Sequence, residues 1–143
     1  MRYMGTPLSI RFDPEILERL RHGARGVPGA TPSALAQRLV DEGLRMAEHP
    51  GVVFRDGPTG RRAALTLGPD VWEVIKAAHE VDRRGSKAII EIGGLMNLPA
   101  ERVEVALRYY TAYPQEIDTE IQAAETASRT AEKQWHARQK LLA

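Results

Sequence analysis

The chain contains no cysteine. That excludes disulfide cross-links and thiolate metal sites, and it fits a reducing compartment. Aromatic residues make up only 6% of the 143 positions, so no large self-sufficient core is expected. Small helical units that complete their cores by dimerising are the better expectation. No apolar run approaches the roughly 18 residues that a membrane span needs. No charged segment followed by an apolar one opens the chain as a signal peptide would. A soluble, cytoplasmic protein without membrane partners is therefore expected. Charge of one sign is missing too: 20 Lys and Arg against 19 Asp and Glu leave a formal net charge of +1. A nucleic-acid surface, if present, must be local.

Catalytic signatures are equally scarce. The four histidines, His22, His49, His79 and His136, each stand alone, without HxH, HxxE or HExxH spacing. "AHEVD" sets His79 and Asp82 three residues apart, on one face if the helix continues, but no third metal ligand is near. There is no GxSxG, phosphate-binding loop or GxGxxG motif, and nothing assembles a nucleophile, a base and oxyanion donors. The expectation is no enzyme, no cofactor and no metal site.

What is present begins with "LSIRFDPEIL", residues 8–17. Leu8, Ile10 and Phe12 alternate with Ser9 and Arg11, the period of a strand. Asp13-Pro14-Glu15 then supplies a cap, a first-turn proline and a first-turn acid for a helix through Ile16, Leu17 and Leu20. "GARGVPGA" breaks that helix. In "TPSALAQRLVDEGLRMAEHPG", Thr31 caps a second helix, Pro32 takes its first position, and His49-Pro50-Gly51 ends it. A short terminal strand cannot stand alone, because its backbone donors and acceptors lack partners.

"LSIRFDPEILERL" followed by "TPSALAQRLVDEGL" resembles the ribbon-helix-helix family of DNA-binding proteins, the MetJ/Arc/CopG class, over residues 6–49. The resemblance implies that the strand pairs antiparallel with its copy in a second subunit. The ribbon then lies in the DNA major groove, with Leu8, Ile10 and Phe12 turned inward and Ser9 and Arg11 toward the bases. Arginine can bond guanine O6 and N7 together, and serine can donate or accept. The resemblance also implies a phosphate anchor at the start of the second helix, through Thr31 and Ser33. Free amides and the dipole of a helix N-terminus favour an anion there.

Further on, Val52–Phe54 and Ala63–Leu67 flank "RDGPTGRR" as a short hairpin, and Arg61 and Arg62 make its turn cationic. Asp70 caps a helix carrying Val71, Trp72, Val74 and Ile75. A helix from Ser86 to about Ile92, a glycine-containing turn and a helix from Pro99 through Tyr110 outline a helix-turn-helix. "FRDGPTGRRAAL", "GPDVWEVI" and "ALRYYTAYPQEID" are similar to a group of antitoxin-like helix-turn-helix proteins, often partnered with PIN-type nuclease toxins. From Glu116 onward there is neither Gly nor Pro. Ile117, Ile121, Ala124, Ser128, Ala131, Trp135 and Leu142 recur on a near-heptad rhythm, a thin stripe on a long helix that wants a partner or is partly disordered, the alternatives being that it lies along the second domain or pairs with its dimer mate as a coiled coil.

The expected fold is mainly α. A ribbon-helix-helix module (1–49) is followed by a small winged or helix-turn-helix-like α domain (50–115) and a long C-terminal helix (116–143). The expected function is a homodimeric or higher-order antitoxin. It binds its own operator through Ser9, Arg11, Thr31, Ser33, Arg61 and Arg62, and its toxin through Ile117, Ile121 and Trp135. The alternatives are a stand-alone dimeric repressor without a toxin and a small helical hydrolase, which would need a cluster of titratable residues.

Overall fold

A computed structural model describes residues 5–143. Those residues form six helices and one two-stranded antiparallel sheet. They divide into two compact units, one ending at Gly43 and the other spanning Leu44–Ala143. No helix among the described residues is long and apolar enough to cross a membrane.

The first unit contains helix α1 (Pro14–Ala24) and most of α2 (Pro32–Glu48). Asp13 precedes α1 with extended dihedrals, and Pro14 opens it, as a ring-fixed φ favours at a first turn. Thr31 precedes α2 and caps it, its hydroxyl accepting from the Ala34 amide at 3.1 Å. The core of this unit is small: Leu20 and Ala24 are its buried apolar residues. Residues 5–13 have no regular secondary structure, so the expected strand at 8–12 is not formed within a single chain. A ladder needs a second strand to satisfy its backbone groups.

The second unit is better filled. After the last turns of α2 come β1 (Val52–Gly57) and β2 (Gly60–Leu65), paired from Val52 opposite Leu65 to Gly57 opposite Gly60. The hairpin is longer than the sequence predicts, and only Pro58 and Thr59 form its turn. Four helices follow: α3 (Val71–Glu80), α4 (Ser86–Met96), α5 (Ala100–Ala112) and α6 (Pro114–Leu142). Asp70 caps α3 as expected, and Glu73 closes a capping box by accepting from the Asp70 amide at 2.9 Å.

Leu65, Val71, Val74, Ile75, Val103, Tyr109 and Ile117 are all but inaccessible and form one cluster between the hairpin and helices α3, α5 and α6. Each large apolar side chain sealed there contributes roughly 1.5–3 kcal/mol.

Three further expectations change. The pair Gly93-Gly94 is not a turn. Helix α4 runs through both and ends at Met96, where Asn97 takes a left-handed conformation (φ 55°) and Leu98-Pro99 leads into α5. Nor is 116–143 a separate segment, because Ile117 and Ile121 belong to the core of the second unit. The metal-pair geometry also fails. Helix α3 stops at Glu80, before Asp82, and no group of three or more metal-ligating side chains occurs among the described residues.

Candidate functional site

The expected DNA-reading residues lie in the first unit. Ser9 and Arg11 are exposed, as are Leu8, Ile10 and Phe12, at 82%, 57% and 38% of their surface. Thr31 and Ser33 are exposed at the first turn of α2. The side chain of Thr31 already serves as a cap, so the remaining donors there are the early backbone amides and the Ser33 hydroxyl.

The expected cationic turn is different from its reading. Arg62 folds inward, its Nε 2.9 Å from Asp70 Oδ2, and its side chain is only 14% exposed. Arg55 donates to the other oxygen of Asp70 through Nε (3.2 Å) and Nη2 (2.9 Å), and Trp72 Nε1 donates to Oδ2 at 3.1 Å. Asp70 thus ties both strands of the hairpin to the start of α3. A buried carboxylate requires such partners, and Arg62 is consumed as one of them. Arg61 points the other way and pairs with Asp56 at 3.4 Å. The pair Arg61-Arg62 therefore does not make a single phosphate-facing patch.

At the root of α6 a second polar group closes over the core. Tyr109, fully buried, accepts from Arg45 Nη1 at 2.9 Å and donates to Glu116 Oε2 at 2.8 Å. Arg45 also reaches Glu116 Oε1 at 2.9 Å, and its guanidinium lies 4.0 Å from the centre of the Tyr113 ring. His49 stands edge-on to both Tyr109 and Tyr113, at 5.2 and 5.9 Å between ring centres. Burial pushes the Tyr109 hydroxyl well above its usual range, and Glu116 adds to it. For Arg45, burial works against the charge, but the bonds to Tyr109 and Glu116 outweigh it and hold the guanidinium charged.

Glu120, one turn on, is pushed up to about 7 from an ordinary 4.5, by burial first and then by the neighbouring Glu116 carboxylate; Arg62 opposes this and Asp70 reinforces it. One Glu120 oxygen is buried without a hydrogen-bond partner.

Ile117 and Ile121, expected to face a partner protein, are instead buried at 0% and 8% exposure against their own unit. The stripe that begins on them turns inward because α3 and α5 supply the apolar surface it lacks within its own helix. Beyond Ala124 every residue of α6 is exposed. Trp135, 55% exposed, remains the one large residue of the predicted contact set on open surface, and Leu142 lies a further two turns on at 68%.

Sequence reasoning missed Arg45, Arg55, Glu116 and Glu120. Arg45 bonds Tyr109 and Glu116 across 64 and 71 positions, and no local pattern announces such a pairing. No nucleophile stands beside a base in either cluster; their geometry is that of structural locks.

Comparison with family models, with curated proteins and with solved structures finds no match for this chain.

Proposed function

We propose that this protein is a dimeric, sequence-specific DNA-binding antitoxin. Its N-terminal strand pairs with that of a second copy to form a ribbon read into the major groove of its own operator. The free half of its last helix binds and neutralises a nuclease toxin.

One observation carries the DNA-binding half of this reading. The first unit leaves its apolar residues uncovered just where a ribbon-helix-helix dimer would bury them. Leu8, Ile10 and Phe12 are exposed on an unpaired extended segment, and Ile16 of α1 and Leu39 and Val40 of α2 are 42%, 47% and 53% exposed. Two buried apolar residues cannot hold such a unit together, whereas pairing two copies would cover both ribbons and the four helices beneath them.

The second unit is a poor competitor for DNA. The leading turn of α5, which a helix-turn-helix would present to the groove, carries exposed Glu101 and Glu104, and Arg102 is turned back to the Thr66 carbonyl. Acids at that position repel phosphate.

The toxin-binding half rests on α6. Its exposed stretch after Ala124 gains nothing from tertiary packing, the source of most helical stability in proteins, and tryptophan is a residue type enriched at binding hot spots.

Truncation after Ala124 tests the division of labour, because it keeps Ile117 and Ile121 in the core. The truncated dimer should retain operator binding and lose capture of a co-expressed toxin encoded beside it. Loss of the fold, or unchanged capture, would remove the tail from the reading. Sedimentation showing a folded monomer at micromolar concentration, together with no retardation of the upstream DNA, would remove the ribbon.

A further inference from the structure

Glycine inside a helix costs roughly 0.5–1 kcal/mol relative to alanine, so two in succession in α4 need a reason. Gly93 has one. A Cβ there would lie 2.6 Å from the Leu98 carbonyl oxygen, where the chain folds back toward α5. Gly94 has none within the fold: it is exposed, and a Cβ on it would meet nothing within 4 Å. It lines a groove of about 440 Å³ with Ile90, Asn97 and Pro99. Ile90, one turn before Gly94, is 69% exposed, and Leu95 beside the glycine is 62% exposed. A large apolar knob and a vacant hole thus sit one helical turn apart on the same stripe.

Charge divides along this face. At the start of α4, Arg84 and Lys87 are exposed, with Arg83 held by Glu91 at 3.4 Å. Just past its far end, Glu101 and Glu104 are exposed on the first turns of α5. Lys87 and Ile90 line one depression, and Ile90, Gly94 and Ala100 line the next, so the stripe runs from basic Lys87 to the start of α5, whose exposed residues Glu101 and Glu104 are acidic.

We propose that this face binds the same face of a second copy of the chain, α4 antiparallel to α4 about a two-fold axis, with Ile90 of each copy seated on Gly94 of the other. A two-fold contact requires a surface complementary to itself. Knob and hole on one stripe meet that requirement, and antiparallel pairing lays each basic end on the partner's acidic end. A ligand carrying charge of one sign would be repelled at one end of the groove. The absent Gly94 side chain lets the facing Ile90 approach the helix backbone. This contact is separate from the ribbon at residues 8–12, so a chain using both would have two interfaces between copies.

The test separates the two interfaces in the full chain. Ile10→Pro removes a ladder donor from the ribbon, and Gly94→Gln fills the hole without touching the fold. By sedimentation at micromolar concentration, Ile10→Pro should remain a dimer. Adding Gly94→Gln should weaken that dimer by roughly tenfold or more, with an unchanged or raised melting temperature at a dilution where both proteins are monomeric. Lys87→Glu and Glu101→Lys should each weaken association and, combined, restore it.

A monomeric Ile10→Pro chain, or a dimer indifferent to Gly94→Gln, overturns the α4 interface. If Ile10→Pro has no effect and Gly94→Gln alone dissociates the protein, the α4 interface stands and the ribbon reading falls.

Discussion

The hydroxyl of Tyr109 donates to Glu116 across 2.8 Å, joining α5 to the first turn of α6. The same oxygen accepts from Arg45, so one buried phenol links two consecutive helices to a segment 64 residues earlier in the chain. Hydrogen bonds to charged groups are worth more than neutral ones, and burial raises the cost of leaving either partner unmet. Tyr109→Phe should lower stability by about 1–3 kcal/mol, while the direct Arg45–Glu116 contact at 2.9 Å survives. Tyr110→Phe is the comparison. Its hydroxyl donates to Asp118 at 2.8 Å on the exposed side, and its loss should change stability far less, as for most surface changes. Urea unfolding of both variants measures the difference; equal losses would mean that the buried link contributes nothing special.

Glu120 should make stability depend on pH. Its folded value is raised to about 7 from 4.5, so between those values the folded chain binds the proton more tightly than the unfolded one. Stability from this group is complete below about pH 4.5 and is lost as pH rises to about 7. Glu120→Gln abolishes the loss. Its melting temperature should match the wild type near pH 4 and exceed it by a growing margin up to about pH 7, with no further gain above. A constant offset at every pH would show that the carboxylate does not titrate in this range.

The two glycines of α4 should respond in opposite directions. Gly93→Ala places a methyl group 2.6 Å from a backbone oxygen that cannot swing away, and should destabilise the second unit by more than about 1 kcal/mol. Gly94→Ala enters open space and should stabilise the helix by roughly 0.5–1 kcal/mol. Thermal melts of the two single variants, at a dilution where the proposed α4 contact is dissociated, decide it, and destabilisation by both would mean that Gly94 is also needed by the fold.

On the proposed DNA surface, Arg11→Ala should abolish sequence preference and leave the fold intact. Losing a paired guanine contact costs roughly 1–3 kcal/mol at each half-site, so a symmetric dimer should lose affinity on the order of a hundredfold. Arg19→Ala, on an exposed position of α1, serves as the control and should change binding little. Titration of operator and scrambled DNA with both variants measures it; equal effects would mean that Arg11 is not the reader.

Local patterning was enough for much of this molecule. The Asp13-Pro14 and Thr31-Pro32 helix starts, the Asp70 cap, the hairpin around Pro58-Thr59 and the unbroken last helix all follow from interactions within a few residues. Trp72, on the helix expected after Asp70, packs half-buried against the core.

What needed the tertiary structure was the destination of each polar group and each end of a stripe. Arg62 looks like a free cation until Asp70 is placed beneath it. Ile117 and Ile121 look like partner contacts until α3 and α5 cover them, leaving Trp135 outside. Gly93-Gly94 reads as a turn because glycine breaks helices in general, yet α4 runs through both. The physical reason is common to all three. Helix caps and turns are decided by neighbours in sequence, but desolvation, ion pairing and steric room are decided by atoms that folding brings together, eight residues apart for Arg62 and Asp70 and dozens apart for Ile117 and α3, and one-dimensional spacing carries no record of them.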